Sequence, residues 1–269
     1  MILAVGAIIG LVLGLTGAGG SLLAIPLLVY GVGEPYRIAV GLSLLTVLAG
    51  ALWGAVHSYR ENLVAVAPAV VFALGGMLAA PVGYRLTHIL PEKPLMASFL
   101  ILMAIIALRM LHQAKRTPDQ TRQVRARLTS KTDVQPICRF SQGRTTLNCR
   151  IALVIAGLLT GLLSGLFGVG GGFLIVPILM GISDLPIERA IATSLAVIAA
   201  ISLSGSLSFL AHTSLDDYGR VILMLMAGAL AGMTLGRLLA ARLAGPRLHT
   251  LFASALIALD LFMGLRLLN

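Results

Sequence analysis

Two short runs of small residues are where this chain has room for chemistry. Gly17-Ala18-Gly19-Gly20-Ser21 and Gly168-Val169-Gly170-Gly171-Gly172 each stand at the head of an apolar segment that reads as a helix. The first amides of a helix have no intrahelical acceptor. That end also carries partial positive charge, so it binds anions. Glycine lets another group approach those amides closely. Two such starts facing each other would hold a small anion without a buried Lys or Arg, and the apolar stretches flanking both runs contain neither. No Gly-Lys-Ser/Thr ending follows, which excludes a nucleotide loop. The substrate-binding candidates are therefore Gly17, Gly19, Gly20, Ser21, Gly168, Gly170, Gly171 and Gly172.

Hydroxyls form a second layer. Ser43 and Thr46 lie in the third apolar segment of the first half, and Thr193 and Ser194 at the matching place in the second. Such groups donate to oxyanion oxygens or, with no ligand, to the carbonyl one turn back; the sequence leaves both open. Ser202, Ser204, Ser206 and Ser208 alternate, which spreads them over different helix faces and reads as packing. Asp260 is the one acid clearly inside an apolar span. It is a candidate for proton coupling, and pairing with Arg266 is the competing expectation. Catalytic residues, metal ligands and cofactor sites are not expected: the chain lacks a Gly-x-Ser-Gly or His-Glu-x-x-His motif and paired intramembrane carboxylates.

Composition names the elements that must position these groups. The chain is 58% hydrophobic and 11% charged, with a mean hydropathy of +0.98. A soluble domain of 269 residues needs more charged surface. Apolar stretches without period-two alternation make this an all-α polytopic membrane protein rather than a barrel. They fall at 2–14, 21–32, 37–57, 63–86 and 94–111, and again at 150–164, 172–182, 187–211, 219–241 and 247–267. The second set repeats the first. Gly6, Gly10, Gly14, Pro26 and Pro35 return 151 residues later as Gly157, Gly161, Gly165, Pro177 and Pro186. Gly75 and Gly83 return 153 later as Gly228 and Gly236. The glycines at i and i+4 read as helix–helix contacts. The expected domains are membrane repeat 1 (1–112), a basic linker (113–149) and membrane repeat 2 (150–269).

The third, fourth and fifth segments of each repeat are long enough to cross a bilayer, which takes about 20 helical residues. The first two are not. They form either one interrupted span or a re-entrant pair. An interrupted span makes the repeats parallel; a re-entrant pair makes them inverted. Nine of the twenty Lys and Arg lie in 113–150, so the positive-inside bias places the linker in the cytoplasm. The inverted arrangement then also keeps Arg60, Arg189, Arg237, Arg242 and Arg247 inside, and it is favoured on that count. The net charge of +10 is thereby a topology signal rather than a nucleic-acid site. Cys138 and Cys149 are expected as free cytoplasmic thiols. The first residues, Met1-Ile2-Leu3-Ala4-Val5, lack the basic start of a removable signal peptide.

The pattern G-L-T-G-A-G-G-S-L-L-A-I-P at 14–26, with G-L-F-G-V-G-G-G-F-L-I-V-P at 165–177, resembles the TauE/SafE sulfite exporter family, also called the toluene-sulfonate uptake permease family. The resemblance covers both halves. It implies movement of small sulfur-containing anions, such as sulfite or sulfoacetate, across the bacterial inner membrane. It also implies that Gly17, Gly19, Gly20, Gly168, Gly170 and Gly171 belong to the substrate region.

The expected function is a secondary transporter working by alternating access around the paired glycine loops. An intramembrane enzyme (a serine protease or transferase) and a passive anion channel are the alternatives, and no ATP-binding motif is present. The expected partners are the small anion, the lipid bilayer, a coupling proton and a second copy in a homodimer. Which anion moves, and in which direction, is left open.

Overall fold

Proline and glycine set matching helix boundaries in the two halves of this computed structural model, which describes residues 1–17, 19–116, 147–182, 185–213, 215–243 and 246–268. Helix α1 (Ile2–Thr16) stops where Gly17 turns left-handed at φ 72° and its N–H reaches Leu13 O at 2.8 Å. The following helix, α2 (Gly20–Val32), is irregular: a 3-10 turn at Gly19–Leu23, one α turn at Ala24–Pro26 and π winding at Leu27–Val32. Pro26 supplies no N–H and its ring crowds the preceding turn, so the winding loosens after it. Helices α3 (Tyr36–Arg60), α4 (Val66–Ile89) and α5 (Glu92–Arg116) complete the first half. The second half is α6 (Leu147–Phe167), α7 (Gly172–Ile182), α8 (Ile187–Leu210), α9 (Leu215–Leu243) and α10 (Pro246–Leu268). Pro35 and Pro186, both extended, precede α3 and α8 at equivalent places. No strand occurs among the described residues.

Five of the described helices are long and apolar enough to cross a membrane: α3, α4, α6, α8 and α9. Helices α5 and α10, at 25 and 23 residues, also have the required length. One expectation is corrected. The first segment of the second half is not short: α6 has 21 residues against 15 in α1, because the helix extends back through Arg150 to Leu147 and forward to Phe167. The edges of the expected linker are thus helical, and its basic centre lies outside the described residues.

A second expectation also fails. Cys149 is fully buried and disulfide-bonded rather than a free thiol. The chain's other cysteine, Cys138, lies outside the described residues. The free-thiol expectation rested on compartment, whereas the bond reflects which sulfurs the fold brings together.

Helices α3 and α8 form the centre. Buried residues make up 78% of the most apolar part of α3 and 67% of that of α8, against 44%, 39% and 33% in α4, α6 and α9. The outer helices present apolar rows such as Leu74, Leu78 and Val82 on α4, and Ile101, Ile105 and Leu108 on α5. An apolar outer surface on helices of this length is the surface a bilayer solvates.

Glycine decides the closest pairings. A Cβ on Gly10 would stand 2.1 Å from Ala229 O, and one on Gly161 would stand 2.2 Å from Gly76 O. Gly6 and Gly14, Gly157 and Gly165 make equally close approaches, so the i, i+4 glycines are helix contacts as their spacing predicts.

These contacts also fix direction. Gly6, Gly10 and Gly14 meet Leu225, Ala229 and Met233, so α1 and α9 run parallel. Gly157, Gly161 and Gly165 meet Phe72, Gly76 and Ala80, so α6 and α4 run parallel. Gly41 meets Phe209 and Gly54 meets Leu195, so α3 and α8 are antiparallel. Within the first half, Gly20 lies against Leu13 and Ile9, while Gly31 lies near Val5. Helix α2 therefore folds back along α1 instead of continuing it.

Candidate functional site

The first glycine of each loop seats on the third helix of the other half. Gly17 lies against Ile191 of α8, and Gly168 lies against Val40 of α3. Val40 and Ile191 are themselves repeat partners, 151 residues apart. Gly168 has φ 62°, and a Cβ there would stand 2.9 Å from the Val40 backbone, so a side chain is excluded by both conformation and space. Since α3 and α8 are antiparallel, Val40 and Ile191 lie toward opposite ends of the central pair. Gly17 and Gly168 are therefore spread apart.

From those outer points the chain runs inward. Gly170 reaches the middle of the pair, where a Cβ would stand 2.7 Å from Val47 Cγ1 and 3.2 Å from Ile198 Cγ2. Val47 and Ile198 are again repeat partners. The 3-10 turn Gly19–Leu23 and helix α7 are in contact. What meets across the halves is thus the opening turn of α2 and α7, not the leading glycines. Gly20, Ser21, Gly170, Gly171 and Gly172 are all buried in protein, away from the apolar outer surface. At the start of α7 the first amides that find a carbonyl are Leu174 and Ile175, both on Gly171 O at 3.0 and 3.1 Å. Those of Gly172 and Phe173 come earlier, where a helix offers no acceptor.

The expected second layer of hydroxyls is committed to protein acceptors or donors. Ser43 donates across the halves to Gly168 O and ties that loop to α3. Thr46 donates back to Leu42 O at 2.7 Å, and Ser194 to Ile191 O at 2.8 Å. Thr193 Oγ1 accepts the Ala65 N–H at 3.0 Å, which caps the start of α4. In this structure all four hydroxyls hydrogen-bond within the protein.

Other hydroxyls do not. Ser164, Ser202 and Ser206 are each at most 1% exposed, and none of their Oγ atoms has a hydrogen-bond partner. Ser202 Oγ points toward the loop, 3.5 Å from the position a Cβ would take on Gly170. Alternation of Ser202 to Ser208 had suggested packing. Ser204 donates to Met77 O at 2.7 Å, whereas Ser202 and Ser206 are buried and find no acceptor. The available signal was the repeat itself: the matching residues of the first half are Ala51 and Ala55, and Ser164 is matched by Leu13. Among the described residues the buried polar side chains are Ser and Thr, joined by the phenols of Tyr36 and Tyr84. A ligand buried among them would meet hydroxyls and amides.

Asp260 does not pair with Arg266. The Arg266 guanidinium lies over the Tyr30 and Phe262 rings at 5.8 and 5.4 Å. Asp260 Oδ1 is buried and has no hydrogen-bond partner. Six residues along a helix place the two side chains on different faces, and the aromatic pair captures the cation. His57 and Arg237 instead meet Glu61, at 3.2 and 3.5 Å, where α3 and α9 end together.

Relatives agree with this architecture. The chain is 33% identical over 262 residues to a probable membrane transporter protein of Xylella fastidiosa, covering 96% of this chain and 92% of the relative. It is 27% identical over 219 residues to a probable membrane transporter protein of Methanocaldococcus jannaschii, covering 78% and 72% of the two chains. A Bacillus subtilis protein of the same description is 27% identical over 232 residues, covering 85% of each. No solved structure matches. Residues 2–263 match the family described as sulfite exporter TauE/SafE. This multi-pass membrane protein is a transporter rather than an enzyme, and it belongs to the sulfite exporter TauE/SafE family.

Proposed function

We propose that the protein is a secondary transporter of small sulfur-containing anions, sulfite or an organosulfonate such as sulfoacetate, across the bacterial inner membrane. One observation carries the reading. The opening 3-10 turn of α2 meets α7 inside the bundle, and Gly170 just before α7 lies at the middle of the antiparallel centre formed by α3 and α8. Partial positive charge at those starts suits an anion, and the buried hydroxyls supply neutral donors. Such a site attracts a weakly charged anion yet releases it, because no fixed cation holds it.

The halves, 1–112 and 150–269, act as inverted repeats in this reading. The folding back of α2 on α1 and the antiparallel α3 and α8 support inversion over an interrupted span. Alternating access moves one half against the other around the helix starts. Residues 113–149 form the cytoplasmic linker, supported by their excess of Lys and Arg.

The test is uptake of labelled sulfite and sulfoacetate by proteoliposomes, with and without a pH gradient. Gly170→Leu, checked for a folded, monodisperse product, abolishes saturable flux of both. Wild-type flux in folded Gly170→Leu and Gly19→Leu proteins would defeat the site. Flux that never saturates and shows no counterflow would make the protein a channel.

A further inference from the structure

We infer that the second half alone reads the oxyanion head of the substrate, through Ser202 with Ser206 and Ser164 beside the start of α7, and that the first half presents an apolar wall. This rests on the anion-transport reading above and adds which residues carry recognition.

The three serines, like the Tyr36 phenol, are buried without a hydrogen-bond partner, unlike several other buried hydroxyls. Thr46, Thr160 and Ser194 all back-bond to a carbonyl three or four residues earlier, at 2.6 to 2.8 Å. The same local acceptor is open to a serine on any helix, yet Ser164, Ser202 and Ser206 do not take it. A buried hydroxyl without a partner is costly and rare, and it points to a missing acceptor.

The acceptor's place is defined. Ser202 Oγ is aimed at Gly170, and Ser206 lies one turn further along the same face of α8. Ser164 stands one turn beyond Thr160, whose carbonyl oxygen is 3.4 Å from the Cβ position of Gly171. Ser202 thus lies beside the loop that leads into an 11-residue helix at Gly172 and Phe173, where the first amides have no intrahelical acceptor, with Ser206 and Ser164 one turn along their helices. Donors from a helix start and from hydroxyls together match an oxyanion. At the equivalent places the first half has Leu13, Ala51 and Ala55. Leu13 Cδ2 fills the space beside Gly50, at 2.9 Å from its Cβ position. At these three positions that side offers no hydroxyl and suits the carbon stem of an organosulfonate.

The experiment compares Ser202→Ala, Ser206→Ala and the mirror variant Ala51→Ser in the full chain. Two readouts are taken: the half-saturating concentration for uptake of sulfite and sulfoacetate, and the thermal shift that sulfite produces in detergent. Ser202→Ala is expected to raise the half-saturating concentration by about tenfold or more, the effect of losing a bond to a charged group. It leaves the midpoint of the ligand-free protein unchanged or higher, because an unpartnered hydroxyl has been removed. The sulfite-induced shift is lost, Ser202→Thr restores it, and Ala51→Ser, which puts a hydroxyl in the apolar wall, keeps the sulfite shift but weakens uptake of sulfoacetate. Half-saturation unchanged in both alanine variants, while Gly170→Leu still abolishes flux, overturns this inference and leaves the transport reading standing. A lowered ligand-free midpoint with the sulfite shift intact means that the serines hold only water, and also overturns it. An equal effect of Ala51→Ser would make recognition two-sided. Failure of Gly170→Leu to alter flux defeats the underlying reading as well.

Discussion

In the first half the chain re-enters the bundle through a 3-10 turn at Gly19–Leu23 and leaves through π winding at Leu27–Val32. In the second half the same stretch is the regular helix α7, although Pro177 sits where Pro26 does. The leading glycines contact equivalent residues of opposite halves, Gly17 with Ile191 and Gly168 with Val40. The backbones are thus paired while buried side chains differ: Leu13, Ala51 and Ala55 in the first half stand at the places of Ser164, Ser202 and Ser206 in the second. Duplication has kept the residues that set helix approach and released those that touch the interior. Close backbone contact tolerates glycine alone, whereas a lining position tolerates any small side chain.

Forcing bulk into the paired contacts tests the shared part and has the largest effect. Gly10→Leu and Gly161→Leu should each prevent recovery of folded protein, since their first added carbon already lies 2.1 or 2.2 Å from a backbone oxygen. A loss of more than ~4 kcal/mol is expected for such overpacking. Detergent-resistant, monodisperse material from only one of the two would break the equivalence of the halves.

The next variant sharpens the unequal part. Thr193→Val removes the acceptor of the Ala65 N–H, whose repeat position in the first half is the apolar Leu42. Orphaning that donor costs ~1–3 kcal/mol, read as a lower thermal midpoint with sulfite half-saturation unchanged. A change in half-saturation would assign Thr193 to the substrate.

Asp260→Asn probes a site that the first half lacks at its corresponding Ala107. If this buried, unpartnered carboxyl carries the coupling proton, the variant loses stimulation of uptake by a pH gradient and keeps counterflow. Full stimulation in the variant would remove Asp260 from the mechanism.

The smallest effect concerns the join between the halves. In the proposed topology Cys149 lies near the reducing cytoplasm, although the structure holds it in a disulfide. Because Cys149 is fully buried, thiol alkylation in intact cells followed by mass measurement should find it still disulfide-bonded. A freely alkylated Cys149 would show that the bond opens in the cell.

Much of the scaffold was legible in the sequence. The i, i+4 glycines announced α1 and α6 as contact helices, and Pro35 and Pro186 marked the starts of α3 and α8. The length of α6 was misjudged, because Arg150 reads as the end of a loop although a helix accepts it without cost. The site was less legible. Ser43, Thr46, Thr193 and Ser194 drew attention by lying at matched places. Yet Ser202 and Ser206, which break the match, are the ones left without partners.

What the sequence determined by itself is the covalent and solvent-facing part of the problem. Apolar length fixed a membrane protein, glycine and proline spacing fixed where helices break and touch, and the duplicated pattern fixed two comparable halves. Tertiary structure decided the folding back of α2, the antiparallel centre, the place of Asp260 away from Arg266, and which hydroxyls find acceptors. Those outcomes depend on atoms more than a hundred residues apart, such as Ser43 with Gly168 or Thr193 with Ala65. A hydrogen bond is satisfied or lost within a few tenths of an ångström, and only the packed chain sets that distance.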